Sequence, residues 1–162
     1  MRVMGLAVRI SGKRITVVAV ILDDRARPED GFDRQAVSVE NSFDVKADED
    51  DLAVRLGDVA KSISGRVRSI EPDGVVIRRA DRPQRPSNQE GPRLRLLAEG
   101  AVAAAVHEVV RKTVIRNGKD CGAEFGTSKE KLDEEAQTIL GGTYKEATAA
   151  ALSGLASNRT TD

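Results

Sequence analysis

Acidic residues are the first group in this 162-residue chain whose type could carry chemistry. Clustered carboxylates can bind Mg²⁺, because hard cations prefer oxygen ligands. Acids at the ends of predicted strands are usually only solvated turn residues, so the sequence leaves a metal site here as an alternative. The candidates are Asp23, Asp24, Asp81 and Glu146.

Arginines form the second group, in a segment from residue 78 to residue 95 that holds six arginines and two acids. Arginine forks match phosphate oxygens, so this basic loop is the best candidate for a surface that binds DNA, RNA or an acidic partner. An equally weighted alternative is a solvated loop whose arginines pair with acids elsewhere. The six are Arg78, Arg79, Arg82, Arg85, Arg93 and Arg95.

Cys121 and His107 are the only cysteine and the only histidine. A single cysteine excludes an internal disulfide and a cysteine zinc site, and a single histidine excludes a histidine metal cluster. A Cys121–His107 dyad is discounted, since His107 follows an apolar stretch typical of a packed or surface helix residue. The glycine-rich residues 118–128 lack the Gly-Lys-Ser/Thr ending of a phosphate loop and are predicted to be a connection.

Composition limits the classes of function. The net charge is +0, so any attraction to nucleic acid must come from a local patch. Aromatic residues make up 2% of the chain, which argues against a stacking platform for unpaired bases. No apolar run is long enough for a secretory signal or a membrane helix, so we expect a cytoplasmic protein with no membrane partner. The length predicts one domain over residues 1–156, followed by a disordered tail at 157–162.

The elements that must position these groups alternate between strands and helices. Residues 3–10 and 14–22 predict a hairpin around Ser11-Gly12-Lys13, and residues 36–43 predict a third strand. Acidic residues 48–51 begin a helix that should end near Ser64-Gly65, and residues 75–77 predict a strand parallel to the hairpin sheet. A loop over residues 80–92, helices at 93–111, 128–140 and 144–156, and a short strand at 114–115 complete an α/β fold with a mixed sheet.

The order of these elements, with three local segments, resembles the ribonuclease-H-like superfamily and, within it, Holliday-junction resolvases of the RuvC type. The segments are Gly5-Leu6-Ala7-Val8, residues 72–77, and Asn88 followed by residues 94–102. The resemblance covers about residues 3–156. It implies a ribonuclease-H-like sheet with an N-terminal antiparallel hairpin, then parallel strands, flanked by helices.

The resemblance also implies that acids should hold two metals, and the expected positions lack them. The first acid maps onto Ala7 and the second onto Arg78, whose charge repels cations. The acids of the last helix fall among Lys145, Glu146 and Thr148, so Glu146 is a possible remnant. In the resemblance, residues 118–131 lie near the junction-binding side, which would allow Lys119, Lys129 and Lys131 to touch a backbone.

The leading hypothesis is therefore a catalytically inactive RuvC-like protein that binds nucleic acid or scaffolds a larger complex, without catalytic residues, metal or cofactor. A homodimer is suggested by the resemblance and by the small-residue face of residues 98–106, which would be a liability if left exposed. One alternative is an active Mg²⁺-dependent endonuclease with carboxylates relocated to Asp23, Asp24, Asp81 and Glu146. Another is a structural adaptor that contacts only protein.

Overall fold

A five-stranded mixed sheet forms the centre of the computed structural model, which describes residues 1–26, 32–81 and 89–158. The strand order is β3-β2-β1-β4-β5, with antiparallel pairing from β3 to β1 and parallel pairing from β1 to β5. The predicted fold class is thereby confirmed. The strands are β1 (Arg2–Ser11), β2 (Arg14–Asp24), β3 (Val37–Ala47), β4 (Gly74–Arg78) and β5 (Thr113–Arg116).

Helices cover both faces of this sheet. They are α1 (Leu52–Ile70), α2 (Glu90–Val109), α3 (Gly118–Phe125), α4 (Lys129–Ile139) and α5 (Lys145–Ser157), with short 3-10 turns at Arg34–Ala36 and Gly142–Tyr144. Alternate strand residues point to opposite faces, so the sheet contributes to two cores. One core packs the sheet against α1 and α2, and the other packs it against α3, α4 and α5.

Helix α1 is longer than the sequence pattern predicts. The predicted end at Ser64-Gly65 is wrong, because the helix continues to Ile70 and ends at Glu71, which adopts a left-handed conformation with φ of 52°. Val59, Ile63 and Val67 keep the helical spacing across the glycine and are all buried. The apolar stripe therefore outweighs the weak helix propensity of Gly65.

The prediction that the glycine-rich segment after β5 is a connection is also wrong, because residues Gly118–Phe125 form helix α3. The Asn117 side chain caps this helix by accepting a hydrogen bond from the Asp120 N–H. Gly122 packs against the backbone of residues 127–129, where an ideal Cβ would lie 2.7 Å from the Lys129 nitrogen. Two of the glycines that suggested a loop, Gly118 and Gly122, therefore lie within a helix, and both are at close approaches to neighbouring residues.

The tail expected at residues 157–162 overlaps helix α5 by one residue. Ser157 is the last residue of α5, while residues 159–162 of the expected tail lie outside the described part of the chain. None of the helices described is both long and apolar enough to span a membrane.

Helix α5 lies against β1 in backbone contact. An ideal Cβ on Gly5 would collide with the Ala147 carbonyl oxygen and would lie 2.7 Å from the Ala151 nitrogen. At the other end of the helix, a Cβ on Gly154 would lie 2.7 Å from side-chain atoms of both Val3 and Val76. Glycine at these positions therefore lets α5 pack closely on β1. Because Gly5 meets Ala147 and Val3 meets Gly154, the helix runs antiparallel to the strand, with its N-terminus on the side of Ala7.

Candidate functional site

Ala7 and Arg78 face each other across neighbouring strands. Ala7 in β1 is the register partner of Arg78 in the parallel strand β4. Directly opposed residues point to the same face of a sheet, and Ala7 belongs to the core beneath α5. The two positions that the resemblance assigns to acids therefore meet at one place, beside the N-terminal end of α5.

Arg78 is buried at this place. The residue is 1% exposed, and its guanidinium nitrogens donate to the two carboxylate oxygens of Asp133 in α4, at 3.3 and 3.4 Å. A buried arginine needs such a partner, because an uncompensated charge away from water is costly. Arg78 is therefore an internal ion-pair residue, and the expectation that it belongs to an exposed phosphate-binding loop needs correction.

A second ion pair continues from Arg78. Asp81 accepts hydrogen bonds from the Lys129 ammonium and, at 2.9 Å, from the Gly118 N–H. Partial desolvation opposes ionisation of Asp81, but these hydrogen bonds and the charge of Lys129 outweigh it, so the pKa of Asp81 is lowered. The same pairing raises the pKa of Lys129. Asp81 and Lys129 thus hold the start of α3 and the start of α4 against the end of β4.

Arg95 in α2 bridges two glutamates. Its Nε donates to Glu99 Oε1 at 2.8 Å, and its Nη2 donates to Glu146 Oε2 at 3.0 Å. Glu99 Oε1 also accepts the Ala80 N–H at 2.8 Å. Glu146, the acid that the resemblance suggested as a possible remnant, is therefore joined to a guanidinium.

Glu99 is unusual among the acids described. It is 4% exposed, and its Oε2 is buried without a hydrogen-bond partner among the residues described. Burial raises the pKa of Glu99, although the hydrogen bonds from Arg95 and the Ala80 N–H act in the opposite direction. The carboxylate is therefore held by one oxygen, and its charge is only partly compensated.

The arginines of the predicted basic loop that the structure describes lie in different environments. Arg79 is partly buried, Arg93 is exposed, and Arg95 belongs to the glutamate bridge. Arg82 and Arg85 lie outside the described residues. Four of the six arginines can thus be placed, and they occupy distinct environments.

The acids of the alternative hypothesis are not brought together. Asp23 pairs in register with Arg2, at the end of β1 that lies about 16 Å from Ala7, and Asp24 follows it. Asp81 and Glu146 lie at the other end of the sheet, in ion pairs with Lys129 and Arg95. Within the part of the chain that the structure describes, no group of three or more His, Cys, Asp or Glu residues is arranged to hold a metal ion.

The discounted cysteine and histidine lie in different layers. Cys121 is completely buried in the core beneath α5, and desolvation raises the pKa of its thiol. His107 is exposed near the end of α2, which packs on the opposite face of the sheet. The two side chains cannot form a nucleophile and base pair in this arrangement.

Two acids of the site, Glu99 and Asp133, were not recognised from the sequence. Glu99 carried a usable signal, because its spacing of four from Arg95 in a helix places the opposite charges side by side. Asp133 carried none, since α4 also contains three glutamates, and only the tertiary fold selects the acid that reaches β4.

The fold defined by this sheet and its helices is the ribonuclease-H-like fold. Among solved structures, the chain is similar to Thermus thermophilus RuvC, with a TM-score of 0.67, 16% identity, and coverage of 98% of this chain and 96% of that one. A structure of the same organism's RuvC in complex with a Holliday junction substrate gives a TM-score of 0.67 and 18% identity, covering 99% and 96%.

A more distant similarity is to the yeast mitochondrial Holliday junction resolvase, with a TM-score of 0.52, 11% identity, and coverage of 97% of this chain and 77% of that one. No protein-family model and no curated protein sequence matches the chain. These identities establish a shared fold, and the function must be argued from the residues of this site.

Proposed function

We propose that this protein is a RuvC-like nucleic-acid-binding protein that does not cut its substrate and serves as a subunit or scaffold of a larger complex. The observation that carries the proposal is the Ala7–Arg78 register pair, in which Arg78 is buried and bound to Asp133. The positions that would hold the metal-binding carboxylates are occupied by a methyl group and a fixed positive charge.

The arginine bridge supports the same conclusion. Two-metal catalysis requires carboxylates that are free to bind cations. Glu146 and Glu99 are instead joined by Arg95, and Asp133 is joined to Arg78. A guanidinium group is paired with each of these three acids, so a divalent ion would have to displace a covalently tethered cation.

Nucleic-acid binding is supported by the shared fold, since one of the similar structures is a RuvC in complex with a Holliday junction substrate. The exposed arginine Arg93, with Arg82 and Arg85 of the basic loop, supplies groups that could bind phosphate oxygens. These contacts would position DNA or RNA without reading its sequence.

The test is a parallel measurement of cleavage and binding. Purified protein is incubated with Mg²⁺ or Mn²⁺ and with branched, duplex and single-stranded DNA, and affinity is measured for the same substrates over a range of salt concentrations. We expect binding without cleavage. Specific cleavage that disappears in Glu146→Ala would instead support the active endonuclease, and the absence of binding to every substrate would favour the protein-only adaptor.

Self-association is a further part of the proposal, but it uses a different surface from the one the sequence suggested. Ala98, Val102 and Val106 of the small-residue face are buried in the core against α1 and the sheet. Leu96 and Leu97 of α2 are 59% and 50% exposed, and they offer an apolar surface for a second copy or another subunit. Sedimentation equilibrium of wild type and Leu96→Ser/Leu97→Ser tests this surface, since a dimer that persists in the variant would exclude it.

A further inference from the structure

One end of the β1–β2 hairpin is left uncovered on the sheet face that carries α5. Gly5 lies beneath Ala147, and α5 begins two residues earlier at Lys145, about 3 Å along the helix axis. Arg9 lies about 13 Å beyond Gly5 along β1, so the helix stops short of it. A cavity of about 300 Å³ occupies this uncovered part, bordered by Thr143 and Tyr144 just before α5.

The charged residues that line this cavity share one face of the sheet, and they are the cations Arg9, Arg14 and Lys46 and one acid, Asp44. Arg9 is the register partner of Thr16, and Thr16 is the register partner of Lys46. Arg14, opposite Ser11, lies two residues before Thr16 and therefore points to the same face. Directly opposed side chains have Cβ atoms about 5 Å apart, so three cationic side chains surround the Thr16 hydroxyl.

These cations form only exposed ion pairs, or none, with the described residues. Arg14 pairs with Asp48 at 3.2 Å and Lys46 pairs with Asp44 at 2.9 Å, and both basic side chains are more than half exposed, at 52% and 58%. Arg9 is exposed and forms no ion pair with any residue in the described ranges. Exposed pairs contribute little free energy, so an incoming anion can compete with Asp44 and Asp48 at small cost.

We propose that this basic cleft, formed by Arg9, Arg14, Thr16, Lys46 and Tyr144, binds a backbone phosphate of the nucleic acid. The inference rests on the proposed function and assigns a contact that lies apart from the basic loop at residues 78–95. Guanidinium, ammonium and hydroxyl groups are the usual ligands of phosphate oxygens, and the positive end of the α5 dipole adds to their attraction. Arg9 lies two residues beyond Ala7 on the same face, so the cleft lies close to the Ala7–Arg78 pair.

The test compares two double variants that remove the same charge from opposite faces of the sheet. Arg9→Gln/Arg14→Gln alters the cleft, and Lys61→Gln/Arg68→Gln alters exposed residues of α1 on the other face. Affinity for a fluorescent four-way junction and a duplex is measured by anisotropy over a salt series, after thermal melting has shown that both variants fold. Arg9→Lys/Arg14→Lys keeps the charge and serves as the conservative variant.

We expect the affinity of the cleft variant to fall roughly tenfold or more, and the slope of log K against log salt to decrease by about 0.9 for each phosphate that the variant no longer binds. The α1 control should bind like wild type, and the lysine variant should retain most of the affinity. If wild type binds DNA and the cleft variant binds equally well with the same slope, the cleft assignment is overturned while the proposed function stands. If wild type binds no DNA, both fail.

A final arm separates nucleic acid from small phosphorylated molecules. Inorganic phosphate is titrated into labelled wild type and the cleft variant, and amide resonances of Arg9 and Thr16 are followed. If phosphate shifted these resonances in wild type but not in the cleft variant, while the two proteins bound DNA with equal affinity, the cleft would be assigned to a small phosphate compound. That result would overturn the nucleic-acid assignment.

Discussion

Ala7 and Arg78 are register partners on adjacent parallel strands, and both point toward the face covered by α5. A carboxylate placed at Ala7 alone would therefore meet the Arg78 guanidinium before it could meet a metal ion. The identity of one residue in this pair sets the chemistry available to the other.

Acids placed at both of these positions should create a cation site. In Ala7→Asp/Arg78→Glu, two new carboxylates would stand side by side and Asp133 would lose its guanidinium partner, so three acids would repel one another until a cation binds. We expect Mg²⁺ to stabilise this variant by about 1.4 kcal/mol when its free concentration is ten times Kd. Thermal melting with and without Mg²⁺ measures the effect, and wild type and Ala7→Asp serve as controls without a Mg²⁺ response. If Mg²⁺ stabilised wild type as much as the double variant, the cation site would not lie at positions 7 and 78.

Breaking the internal ion pair should destabilise the fold. Asp133→Asn leaves the charge of Arg78 buried without a counterion, and we expect the free energy of unfolding to fall by about 3 kcal/mol. Urea denaturation gives the value. Glu134→Gln is the matched control, since Glu134 is the exposed neighbour on the same helix and its change should stay within about 0.5 kcal/mol. Equal effects of the two substitutions would show that the ion pair contributes nothing specific.

Two glycine substitutions should have opposite signs. Gly5→Ala would force a methyl group into the backbone of α5 at Ala147 and Ala151, and overpacking of this kind destabilises by about 3 kcal/mol or more. Gly65→Ala meets open space within α1, so the better helix propensity of alanine should stabilise the fold by about 0.5–1 kcal/mol. Chemical denaturation measures the free energy of unfolding of both variants. A Gly5→Ala variant as stable as wild type would refute the close approach of α5.

Glu99 should make stability depend on pH in an unusual direction for an acid. Because burial raises its pKa, the folded chain takes up a proton at a higher pH than the unfolded chain, whose glutamate pKa is about 4.3. Relative to Glu99→Gln, wild type should therefore gain stability as the pH falls from neutral through the folded pKa, and the gain should be complete below about pH 4.3.

Unfolding free energies of wild type and Glu99→Gln at several pH values between 4 and 7 measure this difference. A difference that moves the other way would mean that the charge of Arg95 dominates over burial at Glu99, and that the folded pKa lies below that of the unfolded chain.

Most of the fold follows from local patterns. The strands β1, β2 and β4 have apolar runs that contain many β-branched residues, and the turn residue Gly12 separates β1 from β2. Helix α3 was missed because its glycines signal loops locally, whereas Gly122 is selected by close packing against residues 127–129. The end of α1 was misplaced for a related reason, since Gly65 is tolerated where nothing contacts it.

The site was less predictable than the fold. The register of Ala7 and Arg78 depends on the parallel pairing of strands far apart in sequence, which the element order did indicate. The local sequence does not predict the burial of Arg78, because the next residue, Arg79, is also an arginine and is only partly buried. Arg78 is buried because Asp133 of α4 pairs with it. No periodicity in the sequence of α4 distinguishes Asp133 from the acids beside it.

The close packing of α5 on β1 has a consequence for synthesis of the chain. The first strand acquires its cover from the last helix described, so one face of the hairpin remains open until residues 145–157 have left the ribosome. At about 5–20 residues per second this interval lasts roughly 6–27 seconds. During it, Val3, Ala7, Val18 and Val20 form an apolar surface with no helix over it. A chaperone that binds nascent apolar segments would meet this protein first at that surface.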